Sequence, residues 1–128
     1  AKYDDVNFKF CDSSKVLHKR ALIKYTDGET ALEKEILEKY QYKQMYSEFS
    51  GYFIIRFAVN CKNATGRFRV EVLDSNFNET TIPEELKDEI LSLFKNLNSW
   101  NHAVYQGDSY DGYTFRVIKI MNGKIDFS

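Results

Sequence analysis

Proline, cysteine and histidine are scarce in this chain, and it lacks any long apolar run. One proline in 128 residues excludes a proline-rich linker. Two cysteines and two histidines, none at the spacing of a zinc motif, do not supply four metal ligands. No run approaches the roughly 20 apolar residues that cross a bilayer. We therefore expect no bound metal, and membrane attachment only through an anchor that this chain does not contain.

The sequence also lacks the short motifs of common enzymes and of nucleic-acid-binding proteins. It has no GxSxG, no P-loop and no glycine-rich phosphate fingerprint, and no spacing places a base beside a nucleophile. The net charge is -1, and the basic cluster between Lys15 and Lys24 is small. The first ten residues do not have the pattern of a signal peptide. We expect a non-enzymatic protein with no catalytic residues, no cofactor and no nucleic-acid partner.

The composition is that of one folded domain. Hydrophobic residues make up 43% of the chain and charged residues 29%, and 128 residues can bury a core. Residues 1–26 are weakly patterned and are predicted to form an N-terminal arm or edge segment. In it, Phe8 and Phe10 indicate a short edge strand, and Ala21 to Tyr25 another brief strand or an extended arm. Residues 27–128 are predicted to form the main domain.

The clearest pattern is a β-hairpin between Gly51 and Asp74. Apolar residues alternate from Phe53 to Val59 and again from Phe68 to Val72, which is typical of strands with a buried face. The first run is apolar on nearly both faces and suits an interior strand. A loop rich in turn formers, Asn60 to Gly66, joins the two.

Two amphipathic helices flank this hairpin. The first is predicted to start at Asp27 or at Thr30, whose spacing to Glu33 fits a capping box, and to fade between residues 40 and 46. The second is predicted to start with a Thr81–Glu84 capping box and to end at residues 98–99. The expected buried stripes are Leu32, Ile36, Leu37 and Tyr40 in the first helix, and Leu86, Ile90, Leu93, Phe94 and Leu97 in the second.

The C-terminal part contains a loop, a third strand and a short fourth strand. Residues 101–112 are predicted to be a polar loop, and Tyr113 to Ile120 a strand. Asn122-Gly123 is a strong signal for a type I′ hairpin turn. This turn places Met121 opposite Lys124 and Lys119 opposite Asp126, so a short last strand at residues 124–127 is expected. The sequence thus predicts an α+β, two-layer fold, in which two helices cover one face of an antiparallel sheet of three to four strands.

Several residues need separate interpretation. Trp100, directly after the second helix, is expected to fill the core. Asp108 and Asp111 are expected to face solvent rather than bind a cation. Cys11 and Cys61 are either a disulfide or two unrelated thiols, and the spacing leaves both open.

The ordered set of segments resembles the C-terminal domain of TonB-like proteins, found in periplasmic energy transducers and related envelope proteins of Bacteroidetes-type bacteria. DGETAL (Asp27 to Leu32) is similar to that family's Gly-Gly-Glu-x-Ala-Leu helix start. GYFIIRFAVN (Gly51 to Asn60) is similar to its VxVxFxVN strand. Trp100 and Gly107 fall where the family has a Trp after the second helix and a Gly before the final strand. The resemblance covers roughly residues 26–120 and implies the same α+β fold.

The sequence departs from the family pattern at several positions. Tyr42-Lys43 replaces a usual Tyr-Pro, and His102-Ala103 replaces the Pro-Gly that follows the Trp. The Asn122-Gly123 hairpin adds a strand beyond the family's core.

The resemblance implies a role in TonB-dependent transport. A TonB-like domain in the periplasm or cell envelope binds the TonB box, a short peptide of an outer-membrane receptor, by β-strand addition. The residues implied in binding are those of the third strand: Tyr113, Thr114, Phe115, Arg116, Val117 and Ile118. In an envelope protein, a Cys11–Cys61 disulfide would tie the N-terminal arm to the hairpin loop.

Alternatives stay open at the level of sequence. The last hairpin, residues 124–127, would cover the binding edge if it ran along the third strand. The chain would then bind another envelope protein, or form a homodimer through that hairpin. Another alternative is a small α+β ligand-binding protein or enzyme with a pocket near residues 100–112. That pocket would use His102, Tyr105, Asp108 or Tyr110.

Overall fold

The structure is a computed structural model, and it describes residues 7–128 of the chain. Residues 1–6 of the predicted arm lie outside the described part. The strands are β1 (Val16–Leu17), β2 (Lys24–Tyr25), β3 (Gly51–Val59), β4 (Thr65–Asp74), β5 (Trp100–Asn101), β6 (Ala103–Tyr105), β7 (Asp108–Met121) and β8 (Lys124–Ile125). The helices are α1 (Gly28–Lys39) and α2 (Glu84–Lys95), with short 3-10 helices at Arg20–Leu22 and Gln44–Tyr46.

The main sheet has the order β1-β7-β3-β4, and β6 and β8 also pair with β7. β3 is the interior strand, paired antiparallel with β4 and with β7, while β1 runs parallel to β7. β2 and β5 form a separate two-stranded sheet. The predicted α+β fold is confirmed, although the described strands outnumber the three to four expected.

One hydrophobic core lies between the sheet and the helices. Alternate residues of β3, from Phe53 to Val59, are fully buried, as the alternation predicted. All five residues of the predicted α2 stripe are buried as well. In α1 the stripe is narrower than predicted, because the Leu37 side chain is 50% exposed. Trp100 fills the core, with 1% of its surface exposed.

Both predicted capping boxes are wrong. α1 already begins at Gly28, after Asp27 in the left-handed conformation (φ 68°), so Thr30 lies inside the first turn. α2 begins at Glu84, directly after Pro83, and Thr81 is too far from the first helical residue to cap it. The fixed φ of proline suits the start of a helix. Pro83, and not the Thr81–Glu84 spacing, therefore marks where α2 begins.

The predicted loop at residues 101–112 is also wrong. Its residues form β5 in part, all of β6 and the start of β7, and β6 and β7 make a hairpin that turns at Gln106 and Gly107. Both turn residues have positive φ, 52° and 85°, like Asn122 and Gly123 at the β7–β8 turn. Gln is not a usual residue for a type I′ turn, and the sequence therefore gave little signal of this hairpin.

The N-terminal segment differs from its prediction in two places. Phe8 and Phe10 do not form a strand; the Phe10 ring contacts the Tyr113 ring edge-on, with centroids 5.8 Å apart. Of the brief strand expected at residues 21–25, Lys24 and Tyr25 form β2. Ile23 and Tyr25 lie before the predicted boundary at residue 26 and are buried in the same core as the rest.

Within residues 7–128, no helix combines the length and the apolar composition needed to cross a membrane.

Candidate functional site

The candidate site is an open stretch on the outer edge of β7. On its inner edge, β7 pairs with β3 from Gly112 to Ile120. On its outer edge, β6 pairs with residues 108–110, β1 with 111–112, and β8 with 120–121. Among the described strands, none pairs with residues 113–119 on that edge. The stretch contains the six residues predicted for partner binding, and their binding role stays a prediction.

The backbone groups that point outward can be assigned from the neighbouring hydrogen bonds. The Asp126 N–H donates to the Lys119 carbonyl (2.9 Å), so the Lys119 carbonyl points to the outer edge. Alternate residues of an antiparallel strand point their N–H and C=O the same way. The position of Arg20 agrees with this alternation. Its Nε–H donates to the Phe115 carbonyl (2.9 Å), which therefore also points to the outer edge. Val117 lies between these two positions and therefore presents its N–H and C=O at the open edge.

The last hairpin does not run along this stretch. β8 ends at Ile125, two residues earlier than predicted, and pairs with Ile120 and Met121 in the predicted register. Asp126 then covers the Lys119 carbonyl, and its carboxylate lies 3.9 Å from the Lys119 ammonium. The outer edge is thus capped at Phe115 and at Lys119 and open at Val117.

The six predicted residues divide into two sets by the face on which they lie. Thr114, Arg116 and Ile118 are buried, with exposures of 3%, 5% and 1%. Their backbone N–H and C=O groups point towards β3. Val117 is 47% exposed and Tyr113 and Phe115 are half-buried. The backbone groups of these three odd-numbered residues face the outer edge, and the binding role of all six residues stays a prediction.

Each face of the sheet has a cavity beside the open edge. On the helix face, a groove of about 290 Å³ separates α1 from β7. Its lining combines six apolar residues with four charged ones: Leu32, Ile36, Phe115, Val117, Ile118 and Phe127, and Arg20, Glu29, Glu33 and Arg116. On the opposite face, a cavity of about 400 Å³ is lined by His18, Arg20, Arg56, Tyr113, Thr114 and Phe115. Because alternate side chains of a strand point to opposite faces, the two cavities are placed to receive successive side chains of a strand added at this edge.

An ion pair between a buried arginine and a half-exposed glutamate links α1 to β7. Arg116 donates from Nε and Nη2 to the two carboxylate oxygens of Glu29, at 2.8 and 3.0 Å. Its guanidinium also donates to Thr114 Oγ1 and lies 4.9 Å from the Trp100 ring centroid. Burial lowers the pKa of Arg116, and the hydrogen bonds to Glu29 oppose that shift. Arg116 and Glu29 both line the groove, and their ion pair links α1 to β7 there.

The alternative pocket residues near 100–112 are spread apart. His102 borders an open cavity of about 600 Å³ between residues 21–27 and 101–104. Tyr110 packs against the core, whereas Tyr105 is exposed, 5.3 Å from the Lys19 ammonium. Asp108 is exposed as well. Only His102 of the four predicted residues contributes to that cavity.

His102 lies in a hydrogen-bonded chain that sequence analysis missed. Its Nδ1 lies 2.7 Å from Asn63 Oδ1, and its Nε2 lies 2.9 Å from Ser109 Oγ. Asn63 Oδ1 also accepts from the His102 backbone N–H (2.8 Å), so Nδ1 carries the ring proton and Nε2 can accept the serine proton. Ser109, His102 and Asn63 thus have the arrangement of nucleophile, base and orienting group that is used in covalent catalysis. Asn63 comes from the β3–β4 loop, and no local spacing could have revealed it.

Cys11 and Cys61 form a disulfide, one of the two alternatives that the sequence left open. Asp111, expected to face solvent, is instead 2% exposed. Its carboxylate accepts from the backbone N–H of Asp12 (2.8 Å) and of Cys61 (2.9 Å), on both sides of the disulfide. The two sulfurs and this carboxylate lie within 4.8 Å of one another, but sulfurs bonded to each other offer no thiolate to a metal.

Comparison with protein-family models, with curated proteins and with solved structures finds no match for this chain. The TonB-like resemblance therefore stays a prediction.

Proposed function

We propose that this protein is a non-catalytic binding module that takes up an extended peptide of another protein as an added strand on β7. The observation that carries the proposal is the outer edge of β7 at residues 113–119, which pairs with none of the described strands and is open at Val117, with a cavity on each face of the sheet beside it. Backbone hydrogen bonds at Val117 would supply affinity, and the two cavities would select side chains. Pairing beyond Val117 requires the peptide to displace the Arg20 Nε–H from the Phe115 carbonyl.

The TonB-like resemblance suggests one form of this function. In that form the peptide is the TonB box of an outer-membrane receptor, and the protein acts in the periplasm or cell envelope in TonB-dependent transport. The Cys11–Cys61 disulfide supports this location, since disulfides persist in oxidising compartments.

Val117→Pro tests the proposal directly. Proline removes the outward N–H of Val117 but no hydrogen bond to β3, because the backbone of Val117 points away from that strand. Selection from a random heptapeptide library displayed on phage should yield peptides that bind the wild-type protein. A selected peptide should lose binding to Val117→Pro and retain it with Val117→Thr, which keeps the N–H.

Two results would contradict the proposal. One is a set of selected peptides that bind Val117→Pro as tightly as wild type. The other is a lack of any selected peptide together with a Val117-dependent dimer in analytical ultracentrifugation. The second result would assign the edge to another copy of this chain.

The Asn63–His102–Ser109 chain favours a second candidate function, hydrolysis of an activated ester by Ser109. His102 is oriented by Asn63 and placed to accept the proton of Ser109. Turnover of p-nitrophenyl acetate should then fall to background in both Ser109→Ala and His102→Ala. Equal turnover by wild type and Ser109→Ala would exclude this candidate.

A further inference from the structure

We infer that the cavity on the outer face of the sheet binds a carboxylate, so that the peptide taken up at β7 carries Asp or Glu at the position opposite Phe115. This inference rests on the proposed function and specifies its partner. It follows from the charge of the cavity lining, from the arrangement of two arginines on one ring, and from their place relative to the open edge.

The cavity is positively charged although the chain as a whole is not. Among the residues that the structure describes, its lining contains Arg20 and Arg56, together with His18, and no acidic residue. The net charge of the whole chain is -1, so the positive charge here is a local feature. An anionic group is the complementary ligand for such a lining, and a guanidinium binds a carboxylate through two parallel hydrogen bonds.

The two arginines lie close to one aromatic ring. The guanidinium carbons of Arg20 and Arg56 both lie 5.3 Å from the centroid of the Phe115 ring. Arg56 is the direct cross-strand neighbour of Phe115 in the β3–β7 register, and both side chains lie on the outer face. This stacking restricts the arginine side chains and lowers the entropy lost when they bind a ligand.

The positive charge is incompletely neutralised by the protein itself. Arg20 lies 3.7 Å from Glu29, but the same carboxylate makes two shorter bonds to Arg116. One carboxylate thus serves two guanidinium groups. In the described part of the chain, no carboxylate lies within ion-pair distance of Arg56. A ligand carboxylate would complete the pairing.

The position of the cavity fixes the position of the acidic residue in the peptide. A residue directly opposite Phe115 on an added strand projects its side chain to the same face as Phe115, with the Cβ atoms about 5 Å apart. A Glu or Asp side chain at that position reaches the space between Arg20 and Arg56. Its neighbours along the peptide project to the opposite face, towards the groove beside α1.

The test uses a heptapeptide selected by its dependence on Val117 and a synthetic analogue in which its acidic residue is replaced by Gln or Asn. Isothermal titration calorimetry would measure both peptides against wild type, Arg56→Gln and Lys34→Gln. Lys34 is an exposed residue of α1, and its substitution makes the same charge change away from the cavity. We expect the selected peptides to be enriched in Asp or Glu at one position. Neutralising that residue should weaken binding to wild type about tenfold.

The variants separate this inference from a general charge effect. Arg56→Gln should lose about tenfold in affinity for the acidic peptide and nothing for the neutral analogue, while Lys34→Gln should leave both unchanged. Val117-dependent peptides without an enriched acidic position, or equal affinities of the two peptides for wild type, would overturn the carboxylate site but leave the proposed function standing. If no selected peptide depends on Val117, both proposals fail.

Discussion

Arg116 contributes both to the stability of the fold and to the lining of the candidate site. The Arg116 side chain is 6% exposed, and it forms an ion pair with the Glu29 side chain, which is 50% exposed. The residue was predicted to contact a partner because it belongs to the third strand. Its side chain lies on the buried face of β7, where its hydrogen bonds to Glu29 link that strand to α1. Its role in binding stays a prediction.

Glu29→Gln should therefore destabilise the protein. The substitution leaves a buried guanidinium without its counter-charge, which costs about 2–3 kcal/mol. Urea denaturation followed by circular dichroism would measure the change in the free energy of unfolding. Glu33→Gln, on the same helix, is the matched control. A loss no larger than that of the control would mean that Glu29 does not compensate the charge of Arg116.

At the scale of single residues, Tyr25 predicts a dependence of stability on alkaline pH. Burial, then the hydrogen bond to Glu35 (2.7 Å), raises the pKa of the Tyr25 phenol to about 12. The unfolded chain ionises this phenol near pH 10, so between pH 10 and 12 the folded state holds a proton that the unfolded state has lost. The contribution of Tyr25 to the free energy of unfolding is thus fully present below pH 10 and is lost as the pH rises towards 12.

Tyr25→Phe should remove this contribution. The free energy of unfolding, measured by urea denaturation at several pH values from 8 to 12, should fall less steeply in the variant than in wild type. Tyr105→Phe, which changes an exposed phenol, is the control. Identical alkaline slopes for wild type and Tyr25→Phe would refute the assignment.

At the scale of elements, β7 determines the arrangement of the sheet. It is the longest described strand, and β1, β3, β6 and β8 all pair with it. Its partners on the outer edge are short and leave a gap between them. Natural sheets usually blunt such edges, and here Arg20 and Asp126 do so at the two ends of the gap. The gap at Val117 is the part of the edge that remains available.

The elements predicted well are those whose signal is local. The β3 alternation, the α2 stripe and the β7–β8 turn each follow from residues adjacent along the chain. β1, β2 and β5 have two residues each and exist through pairing with distant segments, so periodicity could not reveal them. The candidate site was predicted as a strand, but its two cavities depend on Arg20 and on α1. The contacts of Arg20 and of α1 with β7 join segments that are distant along the chain, and no local sequence pattern predicts them.

At the scale of the whole molecule, the disulfide fastens the N-terminal segment to the sheet. Cys11 and Cys61 are 50 residues apart, and Asp111 of β7 binds the backbone beside each of them. The segment after Cys11 leads to β1 and to Arg20, which caps the open edge. The disulfide thus supports the outer side of the candidate site.

A Cys11→Ser, Cys61→Ser double variant should be less stable by about 2–4 kcal/mol, because closing a loop of this length restricts the unfolded chain. Differential scanning calorimetry should show a lower Tm for the variant. Dithiothreitol should lower the Tm of wild type to a similar value and leave the variant unchanged. A wild-type Tm that does not respond to complete reduction of the disulfide would contradict this role.

The measurement that tests the central claim most directly is a backbone NMR titration with a selected heptapeptide, combined with amide hydrogen exchange. Strand addition predicts chemical-shift changes concentrated at residues 113–119. It also predicts that the Val117 amide, open to solvent in the free protein, becomes protected when the peptide is bound. Shifts that map elsewhere, with a Val117 amide that exchanges equally fast in the free and bound states, would contradict binding at the edge of β7.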